Sequence, residues 1–154
     1  MGQGRERRVA FTDFWRAWRE LLRSVERPGA GVLVEGVRDR RSLRELGVGA
    51  PVLLVHRGRD LAEVAREVAG TLGGVVILTD WDPSGSFLAG RLRDLLADGR
   101  REIDLDLRRR IGRALRGEVI HVEGLAGWAR RRAAAEGYAL EEWVDDPERP
   151  LPTG

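Results

Sequence analysis

The stretch VVILTDWDPSG, residues 75–85, decides the fold. An unbroken apolar run, Val75 to Leu78, leads through Thr79 into Asp80, Trp81 and Asp82, with Pro83 and Gly85 directly behind. A run that is apolar on every residue reads as a strand buried on both faces, as in parallel sheets. Such a strand has no packing use for two carboxylates one residue apart. Their repulsion raises the pKa of at least one unless a cation lies between them. Mg²⁺ removes that conflict, because it takes one or two carboxylates together with water and phosphate oxygens. Pro83 and Gly85 sharpen the turn, and the helix that follows opens near Ser84, where backbone N–H groups favour an anion. A second reading stays open: Asp82 and Ser84 are also good helix caps.

The flanking sequence supplies matching units. GVLVEG gives a strand over 32–36 that ends in Glu35 and Gly36, and PVLLVH a second strand over 51–56 that ends in His56. Helical spacing runs through DRRSLRELG, DLAEVAREVAGTLGG, SFLAGRLRDLLADG and LAGWARRRAAAEG. REIDLDLRRRIGRALRG is ambiguous and reads as helix from about Leu105, and EVIHVEG, 118–124, reads as the fourth strand. Ahead of these, Phe11, Phe14, Trp15, Trp18, Leu21, Leu22 and Val25 mark an amphipathic helix. Apolar strands separated by helices predict an α/β fold with a parallel sheet covered on both faces. In such sheets the site forms beyond the C-terminal strand ends, where Glu35, His56, Asp80, Asp82 and Glu123 all fall.

Composition narrows the chemistry. The 154 residues suit one domain: a basic tail over 1–10, a domain over 11–144 with its motifs in 31–125, and a tail over 145–154. There is no cysteine, so disulfides, thiolate metal sites and cysteine nucleophiles are excluded. No stretch approaches a membrane span, and the chain reads as soluble and cytoplasmic with no membrane partner. All 27 basic residues are arginine, against 25 acids. Each is a planar fork suited to phosphate or carboxylate, but the small net charge confines any polyanion contact to a local patch.

VEGVRDRRSLRELG followed by VVILTDWDPSG resembles the Toprim domain shared by topoisomerases, bacterial-type primases and ribonuclease M5, and is similar to the small stand-alone archaeal Toprim proteins. The resemblance covers residues 31 to about 125. It implies a Rossmann-like three-layer sandwich with a four-stranded parallel sheet in the order 2-1-3-4 and an added N-terminal helix. It implies Mg²⁺, with Mn²⁺ as substitute, on Asp80 and Asp82, and Glu35 as general acid or base or as a further ligand. Gly36, Asp39, Gly85 and Ser84 take supporting positions. The activity implied is Mg²⁺-dependent phosphodiester hydrolysis or transfer on RNA or DNA. A non-catalytic nucleic-acid or ribonucleoprotein binder and a nucleotidyl or phosphoryl transferase are the alternatives. The sole tyrosine, Tyr138, lies outside the motifs, which speaks against a complete topoisomerase.

Arg38, Arg57, Arg91 and His56 are the candidates for phosphate contact, and Glu123 for an additional acid. His121 reads as a packed strand histidine. The aromatic helix at the front covers the sheet or supplies a homodimer seam.

Overall fold

The computed structural model describes residues 10–56, 58–97, 99 and 101–152. The chain runs α1 (Phe11–Val25), β1 (Ala30–Val34), α2 (Val37–Glu45), β2 (Val52–Leu54), α3 (Leu61–Thr71), β3 (Gly74–Ile77), α4 (Pro83–Leu96), β4 (Glu102–Asp104) and α5 (Asp106–Leu115). A 3₁₀ turn (Val122–Gly124), α6 (Leu125–Ala135) and α7 (Leu140–Asp145) complete it. The four strands form one parallel sheet in the order β2-β1-β3-β4.

Strand alternation divides the core in two. Val32, Val34, Val76 and Leu78 join α1, α2, α5, α6 and α7 in one cluster, while Leu33, Val75 and Ile77 join α3 and α4 in the other. The sheet is therefore the middle of three layers. The aromatic residues of α1 belong to the first cluster: Phe11, Phe14, Trp15 and Trp18 are each 0% exposed. Phe14 meets Trp128 edge-on at 5.2 Å between ring centroids, and the Trp18 indole donates to the Leu46 carbonyl at 2.9 Å. Trp15 donates to the carbonyl of Pro147 at 3.0 Å, so the chain beyond α7 lies across α1.

The fourth strand is not the one the sequence suggests. Residues 102–104 take the edge beside β3, and 118–124 form a loop and the 3₁₀ turn. A strand needs a ladder partner as well as β-branched residues, and the one free edge of β3 is occupied by the earlier segment. Asp104 then caps α5 through the Leu107 N–H at 2.9 Å. Left-handed Arg116 (φ 49°) and Gly117 (φ 80°) end that helix, and the following residues cross the C-terminal strand ends. Their link to the acid turn is a bond from the Trp81 N–H to the Ile120 carbonyl at 2.8 Å.

Two glycines in α4 should respond oppositely to alanine. A Cβ on Gly85 would lie 2.0 Å from the Asp80 carbonyl oxygen, whereas one on Gly90 meets nothing within 4 Å. Gly85→Ala is expected to lose about 2–3 kcal/mol through overpacking against backbone, and Gly90→Ala to gain up to about 1 kcal/mol in helix propensity. Urea unfolding of both variants checks this; equal stabilities would contradict the close approach at Gly85.

Candidate functional site

Strand order reverses between β1 and β3, since the chain moves outward to β2 and then returns past β1 to β3. In open parallel sheets that is where ligands bind. Glu35 leaves β1 there. β3 ends at Ile77, not at Asp80 as its apolar run suggests, but the Leu78 N–H continues the ladder to Leu33 at 2.9 Å. Asp80 then sits at the mouth of a cleft of about 420 Å³.

Each of four carboxylates in or beside the cleft accepts a backbone N–H. Glu35 Oε2 accepts from Asp80 at 2.8 Å, and Asp80 Oδ1 accepts from Val122 at 2.8 Å. Asp82 Oδ1 accepts from Gly85 at 2.6 Å and Asp39 Oδ2 from Gly36 at 2.9 Å. Among the described residues no arginine forms an ion pair with any of the four; His121 alone does. Its Nδ1 lies 3.3 Å from Asp80 Oδ2 and 3.7 Å from Asp82 Oδ2. Burial, and then the charges of Asp80, Asp39 and Asp82, push the Glu35 carboxyl up, against the pull of the Asp80 N–H. The bond to Asp80 raises His121 above its ordinary value.

Arg108 hydrogen-bonds the backbone of the acid turn, while the charges of Asp82, Asp80 and Glu35 act on its guanidinium. Its Nε donates to the Thr79 carbonyl at 3.0 Å, and its Nη2 to the Asp80 carbonyl at 2.5 Å and to Ser86 Oγ at 3.1 Å. Thr79, fully buried, donates its hydroxyl to the Gly85 carbonyl at 2.7 Å.

The remaining residues singled out in the sequence divide clearly. Gly36, Arg38, His56, Ser84 and Glu123 line the same cleft as the acids. Arg38 and His56 are exposed, and Arg38 makes no ion pair among the described residues. A Cβ on Gly36 would touch nothing, so no crowding explains glycine there. Arg91 is exposed on α4, away from the cleft lining, and Arg57 lies outside the described residues. Arg110, Arg113 and Arg116 line a separate groove with Arg16 of α1. His121 is the residue the sequence reading misplaced. It is half-exposed over the aspartates, because 118–124 crosses the strand ends instead of joining the sheet.

Ligand atoms of Asp80, Asp82 and His121 all lie within 4.8 Å of one another. Two oxygens and an imidazole nitrogen fit a divalent metal ion. The nitrogen suits a transition ion such as Mn²⁺ better than Mg²⁺, which prefers oxygen throughout. Glu35 is not one of the three, and one of its oxygens accepts the Asp80 N–H.

Burial first, and then Asp80, push the Asp39 carboxyl up, with the Gly36 N–H pulling the other way. A raised folded-state pKa means that this group favours the fold at low pH and loses that contribution as pH rises through the raised value. Asp39→Asn keeps an oxygen for Gly36 and removes the charge. Its melting temperature relative to the wild type should therefore rise from about pH 4 to pH 7. A constant offset across that range would contradict the assignment.

Relatives place the chain in a family. It is 32% identical over 131 residues to a UPF0292 protein of Thermococcus gammatolerans, covering 85% of this chain and 97% of that one. A UPF0292 protein of Methanosarcina barkeri is 32% identical over 111 residues, 71% of this chain and 76% of its own length. A solved structure from Aquifex aeolicus aligns with a TM-score of 0.56 and 25% identity, covering 70% of this chain and 94% of that one. No family profile matches the chain. These relatives correct the Toprim assignment, and the nuclease, hydrolase and transferase activities that rested on it are withdrawn, because the relatives' names carry no enzymatic activity. The physical reason is general: acids at the strand ends of a parallel sheet mark a place for chemistry without naming one. The chain belongs to the UPF0292 family.

Proposed function

We propose that this protein binds a divalent cation between the ends of β1 and β3 and, beside it, the phosphate groups of a nucleic acid. The observation that carries the reading is the convergence of Asp80, Asp82 and His121 within 4.8 Å. It gains weight from the surroundings: in a chain whose basic residues are all arginine, no described arginine pairs with these acids. Asp80 and Asp82 would hold the ion through oxygen and His121 through nitrogen. The ion would supply positive charge between the carboxylates and a contact for a phosphate oxygen. Arg38, exposed on the cleft wall, adds a phosphate contact that positions a strand without reading its sequence. No helix of the described chain is long and apolar enough to cross a membrane.

Calorimetric titration tests the cation. Asp80→Asn and Asp82→Asn keep acceptors for Val122 and Gly85, and each should weaken Mn²⁺ at least about tenfold, on the order expected for damage to a metal site. His121→Ala should weaken Mn²⁺ more than Mg²⁺, because the lost donor is nitrogen. Absence of Mn²⁺ binding, or variants that bind like the wild type, would refute the reading.

Arg38→Ala tests the ligand. It should lower affinity across nucleic-acid sequences and reduce the slope of log affinity against log salt by about one. An unchanged slope removes Arg38 from the phosphate side.

A further inference from the structure

Helix α4 buries Gly85, Ala89, Leu92 and Leu96, a single stripe at spacing i, i+4, i+7 and i+11. Phe87 points nearly opposite to that stripe and is 70% exposed. The other exposed large apolar side chains among the described residues are Val37 at 48% and Ile120 at 44%. Single exposed apolar residues are ordinary on proteins, but each of these three lines the acid cleft or lies within three residues of one that does. Val37 lines the acid cleft. Ile120 precedes His121 in the chain, and its carbonyl holds the Trp81 N–H of the acid turn. Phe87 lies one turn along α4 from Ser84, which also lines the cleft.

Arg91 lies one turn farther, exposed and without an ion pair among the described residues. At about 100° per residue, Ser84, Phe87 and Arg91 fall within roughly 60° of one another on the outward face. From Ser84 to Arg91 the helix rises about 10 Å. One face of α4 thus presents, in order, the cleft wall, a bare aromatic ring and a free guanidinium.

We infer that this face is a stacking platform for an unpaired base of single-stranded nucleic acid, Phe87 taking the base and Arg91 an adjoining phosphate. The inference rests on the cation-and-phosphate reading of the cleft and names the form of nucleic acid it takes. A duplex keeps its bases stacked on one another, so only a single strand can offer a base face to Phe87. A protein partner fits less well, since interface cores are depleted of charge and the cleft lined by Val37 and Ser84 holds the carboxylates of Glu35, Asp39, Asp80 and Asp82.

Fluorescence anisotropy in Mn²⁺, with labelled single-stranded oligonucleotides and a duplex of matching sequence, tests the assignment. Phe87→Ala should weaken single-strand binding by roughly 5- to 150-fold, the range for loss of one stacked base. Duplex binding should change little, Phe87→Tyr should retain single-strand affinity, and the Mn²⁺ titration of Phe87→Ala should match the wild type. Arg91→Ala should lower the salt slope by about one. Wild-type single-strand affinity in Phe87→Ala would overturn the platform, as would equal losses on single strand and duplex. So would a change in sedimentation without nucleic acid at unaltered affinity, which would make Phe87 a contact between copies of the chain. Loss of Mn²⁺ binding in the wild type with the Phe87 effect intact in chelator would defeat the cation reading and leave the platform standing.

Discussion

Four carboxylates in or beside one cleft repel one another, and the fold must hold them there before any ligand arrives. It does so with backbone N–H groups, one to each of Glu35, Asp39, Asp80 and Asp82. Those donors belong to segments that leave strands or enter helices, and in a parallel sheet all such exits lie at one end. The sheet order therefore gathers both the acids and the dipoles that offset them. An arginine would neutralise more charge, but it would fill the space between the carboxylates. Hydrogen bonds from the main chain leave that space open, and Glu35 and Asp39 remain pushed up by burial.

The arginine nearest the acids has a different task. Arg108 grips the carbonyls of Thr79 and Asp80, while the Trp81 indole donates back to the Arg108 carbonyl at 2.7 Å. The three bonds lock the acid turn to the first turn of α5. Trp81 also fits against Gly112, where a Cβ would come within 2.5 Å of the ring. On the other side the Thr79 hydroxyl and the close approach of Gly85 fix the turn to α4. Ligand atoms held this way need little rearrangement to accept an ion, which is the condition for a site that binds without reorganising.

Much of this was legible in the chain. The runs at 32–34, 52–54 and 75–77 are apolar enough to require burial on both faces, but the strand order that sets Glu35 beside Asp80 was implied only by the family resemblance. The edge strand was not legible, because VIHV at 119–122 is the more β-prone of the two segments and tertiary packing overrides that preference in favour of EID at 102–104. His121 was lost with that choice: in a strand its side chain packs, whereas in a loop over the strand ends it faces the acids. Arg108 was hidden for another reason. In the run Arg108–Arg110 three identical residues share most of a helical turn, and only the docking of α5 on the acid turn selects the first. The family resemblance failed where geometry is generic, since any parallel sheet with acids at its switch point shares that spacing.

The sequence left Asp82 as either a helix cap or a metal ligand, and in the structure the two roles do not exclude each other. Its Oδ1 caps α4 on the Gly85 N–H, and its Oδ2 lies 3.7 Å from the His121 nitrogen. The cap bond sets the carboxylate plane. Gly85 can approach closely enough to make that bond because it has no Cβ to meet the Asp80 carbonyl. With one oxygen fixed, the second is aimed toward Asp80 and His121. The hydrogen bond that starts the helix is thus also what orients the second oxygen toward His121, within the six residues of the Asp-Trp-Asp-Pro-Ser-Gly turn.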